Sequence, residues 1–435
     1  MTKIRWRTNG GSAPVRLAVS AALMVGLAYG CSPASTASPA GSGAVPSGSA
    51  GASQTARPGD SASEVPALTP VPNITPKIGG VVKWTPSTLP PGLAVTDQSV
   101  TQNEFFGWSK GYLAFSESLA GGSAVPWTSA DGRNWAKGTA LDLTGLSGST
   151  GVSEVVEGPA GLLALGRTPG CLMNGQGCVP DAAKALWTSP DGRNWSRVDL
   201  AGQFGGKAVG SVSAGPKGYM AISVSSDSAV AEPLVWLSAN GRTWRSSPFP
   251  AAAFLNAYLA SSLVLSNGYL VAGRIGSVAG YGSGSYPLTT PQLWWSADGI
   301  SWTQLPMPGL KAAPEAEAAV TRISDGRFIA HVVNWDGPVP PDGPTQLWAS
   351  SDGVTWSAAG PGFPAPAVIL SDGHQALEPT TTDAGVTVAT STDGLAWTQR
   401  VVDGAGPGDW TAAVVGPSGL LVSSGNSQVW LAALA

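Results

Sequence analysis

Trp294-Trp295-Ser296-Ala297-Asp298-Gly299-Ile300-Ser301-Trp302 is one of six copies of a single phrase in this chain. The frame is an apolar strand running into Ser-x-Asp-Gly-x-x-Trp, and it stands at residues 129–135, 189–195, 238–244 (with Asn240 in the Asp place), 296–302, 350–356 and 391–397. Successive Ser positions lie 60, 49, 58, 54 and 41 residues apart. That period fits a four-stranded propeller blade and exceeds an ankyrin or leucine-rich repeat.

Each copy follows a hairpin signal, two apolar runs joined by a short turn such as Gly158-Pro159-Ala160-Gly161, Gly215-Pro216-Lys217-Gly218 or Gly416-Pro417-Ser418-Gly419. Pro presets φ at the second turn position, and Gly at the fourth permits the left-handed conformation that starts the next strand. Counting the variants Trp108-Ser109-Lys110-Gly111, Ser266-Asn267-Gly268, Ser324-Asp325-Gly326 and Ser371-Asp372-Gly373, seven hairpins stand against six motifs. The seventh hairpin leads into Gln428-Val429-Trp430-Leu431-Ala432, which reads like Gln292-Leu293-Trp294-Trp295-Ser296, and then no motif follows. The strand that should come after it is found at the other end, in Val81-Val82-Lys83-Trp84-Thr85. The expected fold is therefore all-β: a seven-bladed β-propeller of four-stranded antiparallel blades over residues 77–435, closed by an N-terminal strand that removes the open edge.

The repeated motif resembles the Asp-box of bacterial neuraminidase (BNR) repeats, found in sialidases and many other propellers, but is one residue shorter because Gly follows Asp directly. The box chemistry is structural. The side chains of Asp131, Asp191, Asn240, Asp298, Asp352 and Asp393 can accept backbone N–H groups of their own turns, while the Trp packs between blades. Asn240 suits that task and argues against catalysis. Trp127, Trp187, Trp236, Trp294 and Trp348, each two residues before its motif Ser, read as core. By resemblance, a sialidase would need three Arg for a substrate carboxylate, a late Tyr nucleophile paired with Glu, and an Asp acid/base. Here the last Tyr is Tyr286 and no Arg lies between Pro58 and Gly132, so no catalytic residue is assigned.

Residues 1–30 read as an export signal, with Lys3, Arg5, Arg7 and Arg16 ahead of or flanking an apolar stretch of 12 at residues 17–28, too short to span a bilayer. It ends in Leu27-Ala28-Tyr29-Gly30-Cys31, which resembles the lipobox of bacterial lipoproteins and implies lipidation of Cys31. From the lipidated Cys, residues 31–76 form a tether of Ser, Ala, Gly, Pro and Thr whose composition cannot bury a core. The implied location is the bacterial cell membrane, lipid-anchored and facing outside the cytoplasm. A net charge of −4 without a basic cluster excludes nucleic acid as a partner. In the oxidising surroundings of an exported protein, Cys171 and Cys178 read as a disulfide across one loop. With two His in the chain, neither near that pair, no metal or cofactor is expected, and the chain is expected to be a monomer.

Function should collect on the face opposite the boxes, where loops join second to third strands. The long ones are residues 168–184, 275–291 and 334–345. They and their flanks supply the candidate ligand-binding residues Arg167, Arg274, Tyr281, Tyr286, Trp335, Asp336 and Asp342. Arg167 and Arg274 end matching strands, either directed into a central pocket or solvated there. The reading is a noncatalytic propeller that binds a glycan, peptide or partner protein. The alternatives are a glycoside hydrolase of sialidase-like architecture, drawing on Asp336, Asp342, Asp181 or Glu232, and an assembly factor for envelope proteins.

Overall fold

A computed structural model of the chain describes residues 4–5, 77–78, 80–93, 101–118, 123–146, 151–167, 185–200, 202–205, 209–223, 234–247, 254, 257–276, 288–310, 313–314, 316–324, 326–334, 346–359, 369–382, 385–403, 412–424 and 428–433. Every regular element among them is a β-strand.

Strands add in chain order from the centre outward. Blade 1 consists of Thr101–Trp108, Gly111–Ser118, Ala124–Ser129 and Ala136–Lys137, and blade 2 of Gly151–Gly158, Gly161–Arg167, Ala185–Ser189 and Ser196–Val198. Blade 3 is Val209–Gly215, Gly218–Ser223, Val235–Ser238 and Arg245–Ser247; blade 4 is Ala257–Val264, Tyr269–Ile275, Leu288–Ser296 and Thr303–Leu305. Blade 5 is Ala316–Ser324, Arg327–Asn334, Leu347–Ser350 and Ser357–Ala359. A ten-stranded sheet holds two further units: blade 6, Leu370–Ser371, Ala376–Thr382, Gly385–Ser391 and Thr398–Asp403; and blade 7, Ala412–Gly416, Gly419–Ser424, Gln428–Ala432 and Val82–Thr88. The same sheet takes in Ile4–Arg5 beside Ala412 and Ala413. First strands touch one another in cyclic order, blade 7 returning to blade 1. The architecture is a β-propeller.

Burial explains the sequence pattern. The middle strands Ala185–Ser189 and Gly218–Ser223 are buried at every residue, whereas the outermost strands Ser196–Val198, Arg245–Ser247 and Thr303–Leu305 bury only their last residue. Continuous apolar runs are what strands covered on both faces require. Apolar clusters straddle the blade boundaries: Phe106, Leu113 and Phe115 of blade 1 pack with Leu162, Ala164 and Trp187 of blade 2.

Closure runs as the sequence predicts, from Trp84 opposite Ala432 to Thr88 opposite Gln428. It also goes further. Val82 and Lys83 pair in parallel with Val402 and Asp403, and Lys77–Ile78 with Thr398 and Gln399, so one N-terminal segment joins the outer edges of blades 6 and 7.

The box turns follow one pattern. In the last of them the Asp393 carboxylate accepts the N–H groups of Leu395 and Ala396, each at 2.8 Å, and the Ser391 hydroxyl at 3.1 Å, while Ser391 Oγ accepts Gly394 N–H. The six box glycines have φ between 71° and 77°, a left-handed conformation that costs any other residue. Asn240 accepts the N–H groups of Arg242 and Thr243 at 2.9 Å in the same way. Ser371-Asp372-Gly373 turns out to be a seventh such turn, placed in a hairpin, with Asp372 accepting His374 and Gln375 N–H. Asp393→Ala is expected to cost about 1–3 kcal/mol by denaturant unfolding, since it strands turn donors. Asp393→Asn should cost clearly less, and equal losses would refute the capping role.

Candidate functional site

Hairpin glycines fix which end of the molecule is which. A Cβ on Gly161 would strike Ser189 O, and one on Gly218 would strike Ser238 O, so hairpin turns and boxes share one end. The box carboxylates there are engaged in their own turns. Backbone N–H groups of Ser301 and Ile300 hold the Asp298 carboxyl at about 2; burial pushes that of Asp191 up, but the N–H groups of Asn194 and Arg193 outweigh it and leave it at about 2. Folded values below the ordinary 3.8 mean that these turns contribute stability above pH 4 and lose it as pH falls toward 2. An acid limb in thermal melts, shallower in Asp191→Asn, is the expected result.

At the opposite end, the structure decides against one of the two readings of Arg274. It is no solvated strand end: its side chain is 7% exposed, and among the described residues it is the one buried Lys or Arg. Strand pairing sets it beside Tyr258 of the first strand, and its guanidinium lies 4.6 Å from the centroid of the Tyr258 ring. Its Nη1 crosses the blade boundary to within 3.9 Å of Glu317 Oε2, on the first strand of blade 5, where Glu317 is 1% exposed. Thr289 Oγ1 donates to Ala316 O at 2.7 Å at the same boundary. The contact is a single long one, not a bidentate fork, and Arg274 Nε has no hydrogen-bond acceptor. A planar cation stacked on an aromatic face with a donor to spare can bind an acceptor-rich ligand.

The second strands of blades 4 and 5 run from this point into residues 277–287 and 335–345. Tyr281, Tyr286, Trp335, Asp336 and Asp342 lie there, outside the described residues, as do Cys31, Cys171 and Cys178. Arg167 holds the position in blade 2 that Arg274 holds in blade 4, paired with Gly151, and its side chain is not among those described. Among the described residues no group of three or more His, Cys, Asp or Glu is placed to hold a metal ion. Sequence reading missed Tyr258 and Glu317. Glu317 was visible as the one charge inside Ala316-Glu317-Ala318-Ala319-Val320, a strand otherwise apolar.

No family model matches the chain, and neither does any curated protein sequence. Among solved structures it is similar to the GH74 xyloglucanase of Xanthomonas campestris, at 19% identity and a TM-score of 0.42 over 79% of this chain and 52% of that one. It thus spans about half the length of that relative. It is also similar to the α-L-arabinofuranosidase Arb93A of Fusarium graminearum, at 12% identity and a TM-score of 0.35 over 81% of this chain and 98% of that one. For the sialidase of Trypanosoma rangeli the values are 14% and 0.36, over 77% and 55%. Likeness at this level assigns no activity, and the fold rests on the chain's own strand ladders and cyclic contacts.

Proposed function

We propose that this chain is a lipid-anchored, seven-bladed propeller, displayed outside the cytoplasmic membrane, that binds a glycan, peptide or partner protein through its loop-bearing end without transforming it. The observation that carries the reading is the Arg274–Tyr258–Glu317 group, a buried cation beside strand ends that lead into residues 277–287 and 335–345, which include Tyr281, Tyr286, Trp335, Asp336 and Asp342. A propeller needs no such charge for its core, and burying it carries a desolvation cost. The boxes offer no competing site, because their acceptors already serve their own turns.

The test uses the Cys31→Ala chain, which lacks the thiol for acylation and is expected in the medium instead of the membrane fraction; retention on the membrane after processing refutes the anchor. On glycan and peptide arrays this chain should give a discrete set of hits. Tyr286→Ala and Trp335→Ala should weaken those hits at least about tenfold with melting unchanged, as expected of aromatic contacts at a binding surface. Hits that survive both substitutions would move the site elsewhere. Release of sugar from a bound glycan would replace this reading with a glycoside hydrolase, and exclusive binding of envelope proteins with an assembly factor.

A further inference from the structure

In six blades a small apolar residue of the second strand sits directly opposite a Trp of the third. The pairs are Ala114 with Trp127, Ala164 with Trp187, Ala221 with Trp236, Val271 with Trp294, Ala330 with Trp348, and Val422 with Trp430. Blade 6 breaks the rule with Glu378 opposite Ala389.

What faces that pair is also changed. Four of the Trp pairs share an apolar cluster with the matching second-strand residue of the preceding blade: Phe115 with Ala164 and Trp187, Leu165 with Ala221 and Trp236, Ile222 with Val271 and Trp294, Ala272 with Ala330 and Trp348. The matching residue of blade 5 is His331, opposite Leu347, and Leu347 packs in one cluster with Ala389. His331 and Glu378 are 5% and 3% exposed, so both are buried at the boundary between blades 5 and 6. The blade 6 side continues the polar character. Thr380 Oγ1 lies 2.8 and 2.6 Å from the two Glu378 oxygens, and Gln399 Nε2 donates to Thr387 Oγ1 at 3.1 Å.

We propose that closing the contact between blades 5 and 6 transfers a proton from His331 to Glu378, so that this polar seam shuts with both groups neutral and no net proton taken up. With the contact open, the imidazolium loses a proton from a ring nitrogen to water and the carboxylate of Glu378 gains one. The cation and the anion become two neutral groups, which is how burial without a counter-charge is avoided. Glu317 shares the His331 face two residues along its strand from Ala319, the residue opposite His331, but is held by Arg274; Arg327 and Asp393, at the box end of the boundary, attract one another. In the closed state His331 Nδ1 has no hydrogen-bond partner among the described residues.

Burial pushes the Glu378 carboxyl up to about 7 and the His331 imidazole down to about 4. The signs oppose each other. Raising Glu378 from its ordinary 4.5 means stability present at low pH and lost as pH rises through 7; lowering His331 from 6.5 means stability present above that value and lost as pH falls through 4. Between pH 4.5 and 6.5 the two slopes cancel.

The experiment is hydrogen exchange at the amides of Arg327–Asn334 and Ala376–Thr382 in the full chain, as a function of pH after correction for intrinsic exchange. The wild-type opening constant should change by less than about threefold from pH 4.5 to 6.5. In His331→Leu it should rise with pH by at least about tenfold, and in Glu378→Gln it should fall with pH by at least about tenfold. Flat profiles in both variants overturn the proposal. If a variant does not fold, imidazole NMR of the wild type decides: His331 neutral at pH 5 supports the transfer, and His331 charged at pH 5 overturns it.

Discussion

Arg274→Ala is expected to lower the unfolding free energy by about 3–5 kcal/mol, because it removes the counter-ion of a carboxylate with 1% of its surface exposed. Glu317→Ala should cost a comparable amount from the other side, stranding the guanidinium over Tyr258. The double replacement Arg274→Met with Glu317→Leu should recover most of the loss, since apolar residues of similar volume need no desolvation to be offset. Denaturant unfolding of the four species gives the coupling between the two positions directly. Losses below about 1 kcal/mol for the single variants would mean that water reaches the pair, and the buried-cation argument for the loop end would fall with them.

Comparable loss is expected from trimming the N-terminus past its strand. A chain starting at residue 77 should unfold like one starting at residue 32, whereas a chain starting at residue 89 lacks the outer strand of blade 7 and Trp84, which packs among Val386, Val402, Val415 and Val422. Loss of a buried Trp alone costs about 3–5 kcal/mol, and five ladder positions go with it. The shortest chain should either fail to unfold cooperatively or aggregate through the exposed edge of Gln428–Ala432. Equal midpoints for the chains starting at 77 and 89 would refute closure by this strand.

Legibility in the sequence followed the periodicity of the physics. Boxes, hairpin turns and the six Trp rows repeat because every blade must satisfy the same turn donors and fill the same gap against its neighbour, and repetition makes such constraints visible in one chain. The detached closing strand was found because Trp430 lacked an outer partner. The parallel pairing of Val82 with Val402 was not, since pairing between the outer edges of neighbouring blades leaves no pattern in side-chain alternation. The setting of Arg274 stayed open for a related reason: its position at a strand end is compatible with solvent, and only the neighbouring blade, through Glu317, makes it interior. The seam is instructive. Trp is missing two residues before Ser391, which is plain from the repeat, but that its row holds Glu378 and meets His331 depends on strand register across a blade boundary.

Closure also sets a clock on assembly. The strand containing Trp84 finds its antiparallel partner only when Ala432 exists, 348 residues later (432 minus 84). At a synthesis rate of about 5–20 residues per second, that wait lasts on the order of 20–70 s. The entropic cost of closing so long a loop grows only logarithmically with length and is modest; the exposure time is not. Throughout that interval an early strand carrying Trp84 and a late blade edge both lack their partners, and a ribosome that stops a few residues short leaves them so permanently. Truncation of this chain by as little as its last strand should therefore be a folding lesion, read as aggregation, in a protein whose other blades could each have formed on time.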